Sequence, residues 1–95
     1  MKLVTIKPST RSDKRMMAVF EVDGKQKTIH FGMKGATTYI DNASEDTRRN
    51  YLARHRVNEN WDRPDNAGSL ARWILWGDSK SMRENIAAFK KKFGV

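Results

Sequence analysis

The chain has 95 residues, no cysteine, and a formal net charge of +8 from 19 Lys and Arg against 11 Asp and Glu. A length of that order makes one domain with one modest core, and the absence of thiols excludes both a disulfide framework and a cysteine-ligated zinc site as supplements to it. No apolar run approaches the ~18 residues of a membrane span, and no charged-then-apolar leader opens the chain, so the expectation is a protein of the cell or virion interior, not secreted and with no membrane partner.

The charge is unevenly placed. Residues 1–35 sum to +5, residues 36–66 to −1 and residues 67–95 to +4. Positive charge gathered at both ends around a near-neutral middle is the footprint of a phosphate-binding surface.

From Lys2 to Phe31 the pattern is that of strands: LVTI, then MMAVFEV, then KQKTIHF. Asp23-Gly24 separates the last two and suits a two-residue type I′ turn, in which both positions take positive φ. That turn pairs Phe20 with Lys27, Ala18 with Ile29 and Met16 with Phe31. Met16, Ala18, Phe20, Ile29 and Phe31 then share the core side, and Met17, Val19, Glu21, Thr28 and His30 share the other. Gly32 and Gly35 read as turn positions needing positive φ, and Thr37–Ile40 as one short further strand.

Asp41-Asn42-Ala43-Ser44 opens a first helix over about 44–58. Asp65 is the expected cap of a second helix near 66–76, closed by Gly77. Ser81 and Glu84 form the capping-box pattern of a third, running to about Phe93. The order is three strands and then three helices. The expected fold is therefore α+β, an N-terminal antiparallel three-stranded sheet with three helices packed on one face. It forms one domain over 1–95, with a sheet region at 1–40 and a helical region at 44–93.

In the third helix Met82, Ile86, Phe89 and Phe93 fall on one apolar stripe, with Arg83, Lys90, Lys91 and Lys92 around the rest. Those lysines suit either a solvated helix C-terminus or phosphate contact. The second helix, LARWILWG, is apolar almost all round and should be the buried centre, with Trp73 and Trp76 structural. Trp61, in a polar loop, is the expected exposed ring.

The first helix places Arg48, Leu52, His55 and Glu59 in one narrow stripe flanked by Tyr51. Charged groups on an inward face must be paired, partly wet or facing a ligand. A structural network joining Arg48 to Glu59 or Asp46 competes with a ligand or interface site made of Arg48, Tyr51, His55, Glu59 and Trp61. His55 and Glu59 also have the spacing of two metal ligands or an acid/base pair. A metal site needs a third ligand, with His30, Asp62 and Asp65 as candidates that no motif places. No catalytic motif, metal site or cofactor is expected.

HFGMKG, Tyr39-Ile40-Asp41, RRNYLARHRVNENW, AGSLARWILW and IAAFKKKF together resemble a family of small, uncharacterised basic proteins encoded by large DNA viruses. The likeness spans about residues 1–93 and departs at Ala36-Thr37-Thr38-Tyr39, where the family more usually has an aspartate and an aromatic before the threonine. The resemblance implies a viral or phage source and a shared fold, and it lends no catalytic residues.

The leading functional expectation is a non-catalytic nucleic-acid-binding protein of low sequence specificity, with DNA the favoured partner. Lys25, Lys27, Lys34, Arg83, Lys90, Lys91 and Lys92 would contact phosphate, helped by Arg49 and Arg56 on the outward side of the first helix. The alternative is a small virion structural or interaction component whose basic ends meet an acidic protein partner and whose Trp61 and Arg48/His55/Glu59 face form an interface. A metal-dependent nuclease is a third reading.

Overall fold

A computed structural model describes all residues, Met1–Val95. Three antiparallel strands, β1 (Lys2–Pro8), β2 (Lys14–Val22) and β3 (Lys25–Met33), lie in the order β1-β2-β3. Asp23 and Gly24 turn the β2–β3 hairpin with φ of 52° and 78°, and the register pairs Phe20 with Lys27, Ala18 with Ile29 and Met16 with Phe31, as expected. In β1 a bulge between Leu3 and Thr5 leaves Val4 exposed and lets Leu3 and Ile6 both stand on the core side, opposite Phe20 and Ala18.

The outer side is less open than alternation implies. Met17 and Val19 are buried too, though less completely than Ala18 and Phe20, because β2 is the central strand and the 9–13 connection folds over it. The Thr10 hydroxyl reaches Met17 Sδ at 4.0 Å, and Ser9 Oγ is hydrogen-bonded to His30 Nδ1 at 2.6 Å across that face.

After β3, Gly32 and Gly35 take φ of 76° and 86°. Residues 37–40, expected as a strand, form instead the entry to a single 3-10 turn, Tyr39–Asp41. The Asp41 carboxylate explains the difference: it accepts the Thr38 amide (2.9 Å) and hydroxyl (2.8 Å) and the Arg15 guanidinium (2.7 Å) from β2. Polar groups that a strand would pair with another strand are thus satisfied locally.

Helix α1 (Glu45–His55) is capped by Ser44, whose Oγ accepts from the Thr47 amide at 3.1 Å. It ends before the expected 58, where the Asn58 amide closes a turn onto the His55 carbonyl. The second helix starts as α2 (Ala67–Leu70) and continues without a break as a π-helical turn, Ala71–Leu75, marked by the bond from the Trp76 amide to the Ala71 carbonyl at 3.0 Å. Its cap is Asn66, whose Oδ1 accepts from the Ser69 amide at 2.8 Å. Asp65, the expected cap, is held by the Lys27 ammonium at 3.1 Å instead. Burial opposes the Asp65 charge, but Lys27 and the backbone outweigh it and hold the carboxyl below its usual range. Gly77 closes the segment, as expected. A Cβ there would lie 2.3 Å from the Trp73 carbonyl oxygen.

Helix α3 (Met82–Phe93) begins at Ser81, whose Oγ accepts from the Glu84 amide at 3.3 Å. The reciprocal half of the capping box is missing, because the Glu84 carboxylate accepts from the Ser79 hydroxyl at 2.9 Å. Met82, Ile86, Phe89 and Phe93 pack on the core as their spacing predicts. That core joins Leu3, Ala18, Phe20 and Phe31 of the sheet to Leu70, Ile74, Leu75 and Trp76 of the central helical segment and Phe89 of α3. The architecture is α+β, three antiparallel strands followed by three helices, and no helix is long and apolar enough to cross a membrane.

Candidate functional site

No residue of α1 is buried as fully as the core; Leu52 packs partly buried against that core, and the remaining attachments are polar and aromatic. Arg48 Nε donates to the carbonyls of Trp76 and Gly77, both at 3.2 Å, and its Nη2 donates to Asp78 at 2.9 Å. Those carbonyls are ones the end of the central helical segment leaves without intrahelical partners. Arg48 is therefore a C-cap supplied from another helix, and its carboxylate partner is Asp78, in place of the expected Glu59 or Asp46. Asp46 pairs at the surface with Arg49 at 3.2 Å.

One turn on, Tyr51 is sandwiched between Trp76, at 4.2 Å between ring centroids, and His55, at 4.0 Å. Its two neighbours must lie on opposite faces, since two rings this close and nearly parallel cannot share one. Burial first, and then the Glu59 charge, push the Tyr51 phenol up to about 12. It is a neutral hydroxyl at any physiological pH.

Glu59 lies beyond the end of α1, yet it still meets His55. One carboxylate oxygen accepts from His55 Nδ1 at 2.8 Å and the other from Trp61 Nε1 at 2.9 Å. A carboxylate only accepts, so the bond places the imidazole proton on Nδ1 and leaves Nε2 as the acceptor of the neutral ring. Gly68 makes room for this group, since a Cβ there would stand 2.9 Å from Glu59 Cδ.

Trp61 is half-buried, in contrast to the exposed ring expected, because its N–H is held by Glu59 and the Arg72 guanidinium lies over its face at 5.3 Å. Arg72 also lies 4.1 Å from the Trp73 ring and donates to the Trp76 carbonyl at 3.1 Å. It has no carboxylate partner, and burial, reinforced by nearby Arg48, lowers its pKa. The sequence pattern marked the first-helix stripe and Trp61. It set Arg72 apart only as the lone charge of the apolar second helix and gave it no role; its place follows from Trp73 and Trp76 on its own segment and from Trp61 in the preceding loop.

Against this assembly lies a groove of about 400 Å³ between the end of the β2–β3 hairpin and the helices. Gly32, Met33 and Lys14 form its sheet side, Tyr51, Arg54 and His55 its α1 side, and Ala67, Gly68, Ala71, Leu75 and Trp76 its floor. Small residues keep it open. Of the predicted ligand residues it brings together Tyr51, His55 and Glu59 and leaves out Arg48 and Trp61. Lys14 carries no signal in the sequence that sets it apart from other surface cations, and Arg54, though it lies in the RRNYLARHRVNENW segment that carries the family resemblance, is given no binding role there.

The predicted phosphate-contact residues divide in two. Lys27 is engaged by Asp65, and Arg49 by Asp46 in a pair so exposed that it is worth little. Lys25, Lys34, Arg56, Arg83, Lys90, Lys91 and Lys92 are exposed and make no ion pair. Nowhere do three or more His, Cys, Asp or Glu side chains gather as metal ligands would, and His30, a candidate third ligand, is bound to Ser9 on the far side of the sheet.

The fold and groove define a class: a small α+β protein whose first helix attaches through an arginine and aromatic network beside a basic-rimmed cleft. The chain belongs to a family of unknown function, DUF5754, whose model matches residues 4–55, from β1 to the end of α1. It is 40% identical over 77 residues to the uncharacterized protein L851 of Acanthamoeba polyphaga mimivirus, a match covering 70% of this chain and 77% of that protein. No solved structure matches the chain. The resemblance to an uncharacterised family with viral members therefore stands.

Proposed function

We propose that this is a non-catalytic nucleic-acid-binding protein that holds its partner through phosphates with little sequence preference, in the setting of a virus-infected cell or a virion. One observation carries this reading. Six of the 19 Lys and Arg side chains, Arg11, Arg15, Lys27, Arg48, Arg49 and Arg63, have a carboxylate within salt-bridge distance, which leaves thirteen without one. All of the thirteen except Lys14 and Arg72 are exposed. Lys80 bonds the Asn42 side chain, Lys92 lies over the Trp73 ring and Arg72 is held inside, but internal contacts leave most of that charge unaccounted for, and a polyanion is the partner whose counterions such a surface displaces.

Lysines and arginines spread over several elements give affinity without a reading head, hence the low specificity. The competing interface reading has less to draw on, since Arg48 and Trp61 spend their polar groups inside the molecule. The test is an anisotropy titration of labelled duplex DNA, single-stranded DNA and RNA at several salt concentrations. For about five phosphates neutralised on a duplex, log affinity falls against log salt with a slope near −4.5. A flat salt response or no binding at low salt overturns the proposal and points to an acidic protein partner.

A further inference from the structure

We propose that the groove beside α1 receives a single unpaired nucleotide, its base against the open face of His55 and its phosphate between Lys14 and Arg54. The inference rests on the nucleic-acid reading above and adds a specific site to it.

Three features meet there and each asks for part of a nucleotide. The first is a ring seat. Trp76, Tyr51 and His55 form a continuous stack, and the stack ends at His55, which is partly exposed and lines the groove. A flat aromatic ligand extends such a column without reorganising it, and stacking of this kind accepts any base because every base has a π face. The Glu59 carboxylate fixes the imidazole plane through Nδ1, so the seat is held before the ligand arrives.

The second feature is charge. Lys14 comes from β2 on one side and Arg54 from α1 on the other, and neither has a carboxylate partner. The groove's one acid, Glu59, has its two oxygens taken up by the N–H groups of His55 and Trp61. The cations are therefore left for an outside anion. The third is size: about 400 Å³ falls in the range of small-molecule sites and is far too narrow for a duplex. A paired base cannot enter, so the ligand is a nucleotide already out of the stack, at a bulge, a nick or a single-stranded run.

The experiment compares a perfect duplex with the same duplex carrying one unpaired nucleotide, using the full chain and a Lys14→Gln/Arg54→Gln variant. Neither side chain is an ion-pair partner, so the variant leaves no buried charge uncompensated, and circular dichroism verifies its fold. The bulged duplex should bind the parent about tenfold more tightly, and the variant should lose that preference and bind the two duplexes alike.

Equal binding of the two duplexes by the parent, or a preference that survives in the variant, overturns the groove and leaves the phosphate reading standing. If neither duplex binds, the phosphate reading fails and a nucleoside 5′-monophosphate decides the groove separately. Amide shifts at His55, Gly68 and Ala71 in the parent and not in the variant support it, and none in either overturns it.

Discussion

Helices α1 and α3 are nearly the same length, 11 and 12 residues, and are fastened to the rest of the molecule in opposite ways. Helix α3 lays Met82, Ile86, Phe89 and Phe93 on the core and leaves Arg83, Lys90 and Lys91 to solvent, with Lys92 over the Trp73 ring. Helix α1 buries no residue as fully, sets only Leu52 as an aliphatic contact on the core, and is otherwise held by a guanidinium on backbone carbonyls, a ring stack and the Tyr39 hydroxyl on Glu45. Apolar burial does not depend on protonation or on the screening of charge. Directional polar contacts respond to both, and their geometry also leaves a cleft between α1 and the sheet where interdigitated apolar side chains would have filled it.

Substitution separates the two modes. Phe89 is almost fully buried, and Phe89→Ala should cost about 3–5 kcal/mol by denaturant unfolding, enough to abolish folding in a domain this small. On the α1 side, Arg48→Met keeps the aliphatic stem but deprives the Gly77 carbonyl of its donor. Trp76 keeps the bond from Arg72. The expected loss is about 1–2 kcal/mol, seen as faster amide exchange confined to α1. Equal loosening of α3 would mean that the two helices are one cooperative unit and that the contrast is false.

The same contrast explains what was legible in the sequence. The hairpin register follows from Asp23-Gly24, and α3 follows from its 3.6-residue stripe, because both are rules about neighbours in the chain. Asn85 shows where such rules stop. It lies on the apolar stripe of α3, yet its amide donates to the Ile74 and Ser79 carbonyls and accepts from the Ser79 amide, partners fixed by how the π-helical turn ends. For α1 the inward stripe was visible and its partners were not, since the carbonyls of Trp76 and Gly77 lie 28 and 29 residues away. The groove was illegible for the same reason, with Lys14 and Arg54 brought together by a topology that no local pattern encodes.

Acid gives the mildest and most discriminating test of the comparison. Asp41 sits in the turn that leads into α1 and takes two bonds from Arg15 and two from Thr38. The guanidinium holds its carboxyl well below the ordinary carboxylate value. A carboxyl with a depressed folded-state pKa contributes stability that is whole above its unfolded value, about 3.9, and is lost as pH falls through the folded value. Asp41→Asn keeps the shape and removes the charge, so at neutral pH it should cost on the order of 1 kcal/mol, a gap that closes as pH falls below about 4. No carboxylate takes part in the Met82–Phe93 stripe, so amide exchange in that acidic range should quicken at the 39–41 turn and in α1 while α3 stays protected. A gap that does not change with pH would show that Asp41 acts through its shape alone. Early loss of α3 would show that the sheet and its apolar helix depend on the polar tether after all.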